Sequence, residues 1–253
     1  MKIDAILTPA EIPALAGRDL RETVCVVFDI LRATSTIVTA LHHGAMAIIP
    51  VCEIGEALAI RGRRPDVLLG GERDGFKIRA AQTGGIDFNF GNSPREYTPE
   101  KVRGKTIVST TTNGTRALRA CAGAKMVLAA SYLNLSASAK FIQQNNFADA
   151  LLVCAGTGEN PASEDISAAG AMVELLLSSE GEPPKISGNA HVANVAFSTA
   201  REHFPNALRD SQNGRRLLAI PELRDDVAFC SQRDVFPLIA EMGADGSIRV
   251  CQS

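Results

Sequence analysis

The sequence contains no tryptophan, and only 2 tyrosines and 10 phenylalanines occur among its 253 residues. With aromatic residues at 5%, the interior has to be filled by Val, Ile, Leu and Ala. These aliphatic residues dominate sheets that are covered on both faces. The shortage of aromatic residues therefore favours an α/β protein over a β-sandwich with one exposed sheet face.

An excess of charge of either sign is also missing. The 26 Lys and Arg residues nearly balance 28 Asp and Glu residues, which gives a formal net charge of -2. A chain without a global positive field is not expected to hold a nucleic-acid backbone. No apolar run approaches the ~20 residues of a membrane-spanning helix, and Asp4 stands where a signal peptide would be apolar. We expect a cytoplasmic protein with neither a nucleic-acid nor a membrane partner.

Closely spaced cysteine pairs are absent as well. The 6 cysteines occur singly, with none of the short spacings that typify zinc sites and redox motifs. We expect all of them to be reduced thiols without a catalytic role.

What the sequence does contain is an alternation of short apolar runs and helical stretches between residues 24 and 178, which is typical of βαβ units. The predicted strands are 24–28, 47–51, 67–69, 106–108, 126–129 and 150–154, and the predicted helices are 35–43, 55–61, 115–122, 135–144 and 164–177. Residues 71–99 and 178–184 are predicted to be loops. We predict one domain, residues 1–253, with a three-layer α/β/α fold, a mainly parallel or mixed central sheet and a helical C-terminal extension.

Polar side chains gather where these predicted strands end. Asp29 and Arg32 follow the first run, and Glu72 and Arg73 follow the third. The other strand ends carry hydroxyls, amides and carboxylates, at Thr110, Thr111, Thr112, Asn113, Thr115, Ser131, Asn134, Glu164 and Asp165. In open α/β sheets this edge is where ligands bind. Arginine forks and hydroxyl-rich turns are typical of sites for small, multiply charged anions.

Carboxylates at the same edge would repel such an anion. A hard cation between them removes this repulsion, and Mg²⁺ commonly bridges carboxylate and phosphate oxygens. The residues therefore predict a small polyanionic phosphorylated substrate together with Mg²⁺.

Structural roles are possible for the same residues. The Thr-rich turn could simply cap a helix, Glu164 and Asp165 could complement a helix dipole, and Arg32 could form a salt bridge with Asp29. The simultaneous occurrence of polar groups at five turns favours a binding site over these separate explanations.

Five strings in order resemble the 2-phosphosulfolactate phosphatase family. They are residues 29–35 (DILRATS), 70–73 (GGER), 91–94 (GNSP), 110–115 (TTTNGT) and 163–165 (SED). Residues 226–230 (DVAFC), followed by Asp234, are similar to the closing signature of that family. The resemblance covers almost the whole chain.

The resemblance implies a Mg²⁺-dependent phosphoric monoester hydrolase that converts 2-phospho-3-sulfolactate to 3-sulfolactate and phosphate, a step of coenzyme M biosynthesis, and a homodimer. Our hypothesis gives catalytic roles to Asp29, Arg32 and Glu72, and has Asp29, with help from Glu72, Glu164 or Asp165, hold the Mg²⁺. Expected substrate-binding residues are Arg73, Asn92, Ser93, Thr110, Thr111, Thr112, Asn113, Thr115, Ser131 and Asn134. Residues 77–90, 211–214 and 219–221 depart from the family pattern, which makes the sulfonate preference less secure than phosphomonoester hydrolysis.

The alternatives are a phosphatase for another small phosphorylated hydroxy acid, a non-catalytic binding protein for such an anion, and an isomerase or aldolase. The last usually needs a lysine or histidine that titrates near neutral pH, and neither lies at a strand end. For the nucleophile, a metal-bound water is favoured over Asp29.

Overall fold

One mixed sheet of eleven strands forms the centre of the described chain. The computed structural model describes residues 1–145, 147–178 and 182–251. The strands in these residues are β1 (Lys2–Ile6), β2 (Thr23–Phe28), β3 (Ala47–Pro50), β4 (Leu68–Arg73), β5 (Phe76–Lys77), β6 (Thr106–Thr110), β7 (Met126–Ala130), β8 (Asp149–Cys154), β9 (Lys185–Ile186), β10 (Ala240–Met242) and β11 (Ile248–Val250). Their order across the sheet is β5-β4-β6-β3-β11-β10-β7-β2-β8-β1-β9.

The sheet consists of two parallel blocks that a hairpin joins. Strands β7, β2, β8, β1 and β9 form one block, and β3, β6 and β4 form the other. The C-terminal hairpin β10–β11 lies between the blocks and pairs antiparallel with β7 on one side and with β3 on the other. Residues near the end of the chain therefore complete the middle of the sheet.

Eleven α-helices in the described residues cover both faces of this sheet. They are α1 (Ala33–His42), α2 (Ile54–Arg63), α3 (Ala80–Thr83), α4 (Pro99–Val102), α5 (Gly114–Ala120), α6 (Leu135–Gln144), α7 (Ser163–Leu177), α8 (Gly188–Ala200), α9 (Phe204–Asp210), α10 (Gln212–Leu218) and α11 (Arg224–Cys230). Short 3-10 helices span Pro9–Gly17, Pro94–Glu96, Tyr132–Asn134 and Arg201–His203. None of the helices in the described residues is long and apolar enough to cross a membrane.

Alternation along the strands separates the core into layers. On β2, Val24, Val26 and Phe28 contact the cluster formed by the helices α6 to α9 and α11. Cys25 and Val27 point to the other face, into a cluster that includes α1 and α5. A smaller cluster lies beneath α2. Because both faces are covered by helices, the expected three-layer α/β/α fold is confirmed.

The predicted strands and helices between residues 24 and 178 are all present, with ends shifted by a few residues. The sequence missed the short strands β1, β5, β9, β10 and β11, which have only two to five residues each. The predicted C-terminal helices are present as α8 to α11, after which the chain returns to the sheet. Of the predicted loop 178–184, residues 179–181 lie outside the described residues.

The two blocks run in opposite senses, because three antiparallel pairings separate β7 from β3. Six neighbour-to-neighbour steps lead from β2 to β4, yet the carboxyl ends of β2 and β6 lie side by side. The contact is direct, since a methyl group on Gly114, after β6, would lie 2.5 Å from Asp29 Oδ2, after β2.

Gly170 tests the packing of α7 on α8. A methyl group on Gly170 would lie 2.0 Å from the carbonyl oxygen of Ala193, whereas one on Gly62 of α2 would meet no atom within 4 Å. We predict that Gly170→Ala lowers the free energy of unfolding in urea by about 1–3 kcal/mol through overpacking. The control Gly62→Ala is predicted to raise it by about 0.5–1 kcal/mol through helix propensity. Equal stabilisation by both substitutions would contradict the close α7–α8 contact.

Candidate active site

A cavity of about 240 Å³ lies where the carboxyl ends of the two blocks meet. The strand ends contribute most of its lining, and α10 together with Ile220, two residues beyond its end, closes the remaining side. The lining residues are Asp29, Leu31, Arg32, Glu72, Asp74, Gly75, Asn92, Thr112, Asn113, Gly156, Thr157, Gly158, Asn213, Arg216, Leu217 and Ile220. The cavity thus contains both acidic and basic side chains.

Asp29 follows β2 directly and is held in a tight turn. Its Oδ1 accepts a hydrogen bond from the Ala33 amide at 3.0 Å, and its backbone nitrogen and oxygen both bond to the Thr34 hydroxyl. Burial, together with the charges of Glu72 and Glu164, raises the pKa of Asp29 to about 7 against the opposing effects of the Ala33 amide and Arg32. Burial and two neighbouring carboxylates thus disfavour the charged form of Asp29.

Glu72, near the end of β4, links two turns of the second block. Its Oε2 accepts a hydrogen bond from the Gly75 amide at 2.6 Å. Its Oε1 accepts from the amide of Thr112 at 2.8 Å and from the hydroxyl of the same residue at 3.0 Å. The carboxylate is therefore fixed in place at the wall of the cavity.

Glu164 and Asp165 begin α7, but their carboxylates differ in what they contact. Both oxygens of Asp165 accept backbone amides, from Ile30 at 2.8 Å and from Gly156 at 3.0 Å. Glu164 Oε1 accepts from Asn213 at 2.7 Å, whereas its Oε2 is buried without a hydrogen-bond partner. Burial raises the pKa of both groups, and for Asp165 the charges of Asp29 and Glu164 add to this effect. Asp165 ties two turns together, and Glu164 retains an open oxygen.

Arg32 forms a buried ion pair, and its partner is Asp226 of α11 rather than Asp29. The Arg32 Nη1 to Asp226 Oδ2 distance is 2.8 Å, and the two side chains are 3% and 0% exposed. Arg32 Nη2 donates to the Gly75 carbonyl at 2.8 Å, and Asp226 Oδ1 accepts from the Ser93 hydroxyl at 2.6 Å. The peptide bond between Leu31 and Arg32 is cis. These contacts hold the guanidinium at the cavity wall.

Most of the hydroxyls in the Thr-rich turn are used to build the turn itself. Thr111 and Thr115 each bond to the backbone amide of the other through their hydroxyls. Thr110 accepts from Arg73 and donates to the Cys52 carbonyl. Asn113 bonds to the turn after β8 at the carbonyl oxygens of residues 155 and 158. Only Thr112 and Asn113 of this turn line the cavity.

The structure brings six of the predicted site residues to the cavity, namely Asp29, Arg32, Glu72, Asn92, Thr112 and Asn113. The others lie behind its wall or away from it. Those that do not line it are Arg73, Ser93, Thr110, Thr111, Thr115, Ser131, Asn134, Glu164 and Asp165. Arg73 binds carbonyl oxygens of Glu72 and Cys52. Ser131 and Asn134 cap the short helix after β7.

Four lining residues come from the C-terminal region and were missed as site residues by the sequence reasoning. They are Asn213, Arg216, Leu217 and Ile220. Their spacing of i, i+3, i+4 and i+7 places them on one face of a helical segment. This spacing is the feature of the sequence that could have identified them as lining residues. The segments 211–214 and 219–221, which depart from the family pattern, supply two of them.

The donor set is suited to a hard cation. Every candidate ligand is a carboxylate oxygen, and Glu164 Oε2 is a buried oxygen with no partner. Among the described residues, no group of three or more His, Cys, Asp or Glu side chains is arranged to hold a metal ion. Mg²⁺ typically takes only one or two protein carboxylates and completes its shell with water and substrate phosphate. The residues present therefore fit Mg²⁺, with Asp29 and Glu72 or Glu164 as ligands.

Comparison with known sequences places this site in a family. The profile described as 2-phosphosulpholactate phosphatase matches residues 7–244. A probable 2-phosphosulfolactate phosphatase of Caldanaerobacter subterraneus subsp. tengcongensis is 39% identical over 244 residues, covering 94% of this chain and 95% of that protein. Proteins with the same name are 40% identical in Thermotoga maritima, covering 85% and 86% of the two chains, and 36% identical in Clostridium perfringens, covering 100% and 98%. The predicted enzyme class, phosphoric monoester hydrolase, is confirmed by these matches, and the chain belongs to the 2-phosphosulpholactate phosphatase family.

Proposed function

We propose that the protein hydrolyses 2-phospho-3-sulfolactate to 3-sulfolactate and phosphate in the presence of Mg²⁺. The observation that carries this proposal is the cavity itself, in which Asp29 and Glu72 stand beside Arg32. The names of the relatives support the substrate, and the size of the cavity fits a three-carbon acid. Cytoplasmic location and homodimerisation stay predictions.

Arg32 is the group that we assign to the phosphate. Arg32 Nη1 donates one hydrogen bond to Asp226, and Nη2 donates one to the Gly75 carbonyl. A guanidinium has five N–H donors, so three remain for the phosphate. Because the ion pair is buried, the guanidinium needs no reorganisation when negative charge develops on the phosphate oxygens. Asn92 lines the same wall and offers an amide.

Mg²⁺, when bound, supplies the positive charge that neutralises the phosphate and orients the attacking group. In this chain, Asp29 and Glu72 or Glu164 would hold it. The Ala33 amide donates a hydrogen bond to Asp29 Oδ1. Gly114 packs beside Oδ2, with no room for a methyl group between them. The role of Asp165 is to position Asp29 and the turn at Gly156, because it lies behind the cavity wall and its oxygens accept the amides of Ile30 and Gly156.

Water is the nucleophile in this proposal. It attacks phosphorus, the bond between phosphorus and the substrate C2 oxygen breaks, and that oxygen takes a proton to give the hydroxy acid. The alternative is attack by Asp29 with an aspartyl-phosphate as intermediate.

Phosphate release tests the activity and the metal together. With 2-phospho-3-sulfolactate, we expect release of one phosphate per substrate, at least about 100-fold faster with Mg²⁺ than after EDTA treatment. Excess Mg²⁺ added after EDTA should restore the rate. A ligand-induced rise in melting temperature without any phosphate release would instead indicate the non-catalytic binding protein.

Asp29→Asn tests the central carboxylate. Asn keeps the acceptor for the Ala33 amide but removes the charge, so we expect kcat to fall by about 100-fold or more. Because burial and two carboxylates disfavour the charged form of Asp29, the melting temperature should stay the same or rise. The control Asp149→Asn, at the start of β8, should keep full activity. Full activity in Asp29→Asn would remove Asp29 from the mechanism.

Acid quenching distinguishes the two nucleophiles. Substrate labelled in its phosphate is mixed with excess enzyme and quenched with acid during the first turnover. We expect no label on the precipitated protein, since water attacks directly. Label that is retained by the wild type and lost in Asp29→Asn would show that Asp29 is the nucleophile.

A further inference from the structure

Arg216 of α10 is the second arginine of the cavity, and its contacts differ from those of Arg32. Its guanidinium donates to the backbone carbonyl of Asp74. No carboxylate in the described part of the chain lies within ion-pair distance of it, whereas Arg32 is paired with Asp226. The Arg216 side chain is exposed to solvent, and it also lines the cavity. Arg216 thus presents a positive charge that the protein itself does not neutralise.

The two guanidiniums are held by one turn. Arg32 binds the carbonyl of Gly75, and Arg216 binds the carbonyl of Asp74. Both residues of this β4–β5 turn have positive φ, 54° and 79°, as in a tight hairpin turn. Arg32 Nη2 lies 2.8 Å from the Gly75 carbonyl oxygen, and the Arg216 guanidinium lies within 4 Å of a methyl group built on Gly75, so both positive groups contact the same residue of the cavity wall. This arrangement suits a ligand with two anionic groups on neighbouring carbon atoms.

The surroundings of Arg216 differ from the strand-end wall. Leu217 and Ile220 share its helical face and line the cavity with apolar groups. Asn213 on the same face is engaged by Glu164 and Thr157, which holds α10 against the first block. A short carbon skeleton can therefore pack against this face while its charged end meets Arg216.

We propose that Arg216 binds the second anionic group of the substrate, a sulfonate, while Arg32 binds the phosphate. This assignment rests on the proposed function. The planar guanidinium fork matches two oxygens of a tetrahedral oxyanion. Arg216 is therefore a specificity-determining residue that selects a phosphorylated acid bearing a further strong anion over one with a neutral group at that position.

The test compares two substrates in three variants. 2-Phospho-3-sulfolactate carries the sulfonate, and 2-phospholactate has a hydrogen in its place. We expect Arg216→Gln to lower kcat/KM about 10-fold for phosphosulfolactate, mainly by raising KM. A loss of about 10-fold corresponds to the weaker end of the range for charge-assisted hydrogen bonds, as expected for an exposed guanidinium. For phospholactate the change should stay within about 2-fold. Arg216→Lys should recover part of the loss.

Arg215→Gln is the matched control. Arg215 neighbours Arg216 in sequence and donates to the Asp210 carbonyl, but it does not line the cavity. We expect it to leave both substrates unchanged. An equal loss of kcat/KM on both substrates in Arg216→Gln, or no loss on either, would overturn the proposal.

A binding measurement separates this proposal from the proposed function. Thermal shift is recorded with 3-sulfolactate and with lactate, both with Mg²⁺. Wild type and Arg215→Gln should be stabilised by sulfolactate, and Arg216→Gln should lose this shift. If the wild type shows this pattern of thermal shifts but releases no phosphate, the proposed hydrolysis is wrong and the sulfonate site at Arg216 is supported. If Arg216→Gln keeps the full thermal shift with sulfolactate, the proposed sulfonate site is wrong whether or not the enzyme releases phosphate.

Discussion

Four buried carboxylates at the meeting of two sheet blocks are the constraint on which the site depends. Burying like charges together is costly unless polar groups compensate them, and the chain supplies these mainly as backbone amides. Asp165 takes two amides and Glu72 takes two amides and a hydroxyl. Asp29 takes one amide, and Glu164 keeps one oxygen with no partner. The carboxylate oxygens with the fewest hydrogen bonds thus belong to Asp29, which lines the cavity, and to Glu164, which lies behind its wall.

The Arg32–Asp226 ion pair connects this cluster to the C-terminal region. Desolvation makes a buried ion pair a weak source of net stability, so its consequence here is mainly geometric. Asp226 lies on α11, more than 190 residues along the chain from Arg32, and it also binds Ser93. The loop after β2, Ser93 and helix α11 therefore meet at this ion pair, where both Arg32 and Ser93 bind the Asp226 carboxylate. The cavity exists only when all three are folded together.

The sequence predicted the strands and helices of the central region well, because aliphatic runs of three to five residues such as Val24–Phe28 alternate there with helical stretches. It missed β10 and β11, whose three residues each form strands only because the sheet leaves a gap between β7 and β3. The meeting of Asp29 and Glu72 was expected from the rule that parallel strands end at one edge. In the structure the two blocks run antiparallel to each other, so this juxtaposition depends on the shape of the whole sheet rather than on that rule. No local pattern in the sequence reports the shape of a whole sheet.

The charged residues of the cavity lie on two opposite walls, one with Asp29, Glu72 and Arg32 and the other with Arg216. Asp29, Glu72 and Arg32 lie on loops and strands that the family strings specify, where the geometry suits any phosphomonoester. The opposite wall comes from α10 and Ile220, and two of its residues, Asn213 and Ile220, lie in segments that depart from the family pattern. Arg216 is the charged lining residue of that wall. Substitution of Arg216 can change which acid fits beside the phosphate, because Arg216 forms no ion pair with the four carboxylates in the described residues, whereas Asn213 binds Glu164 directly.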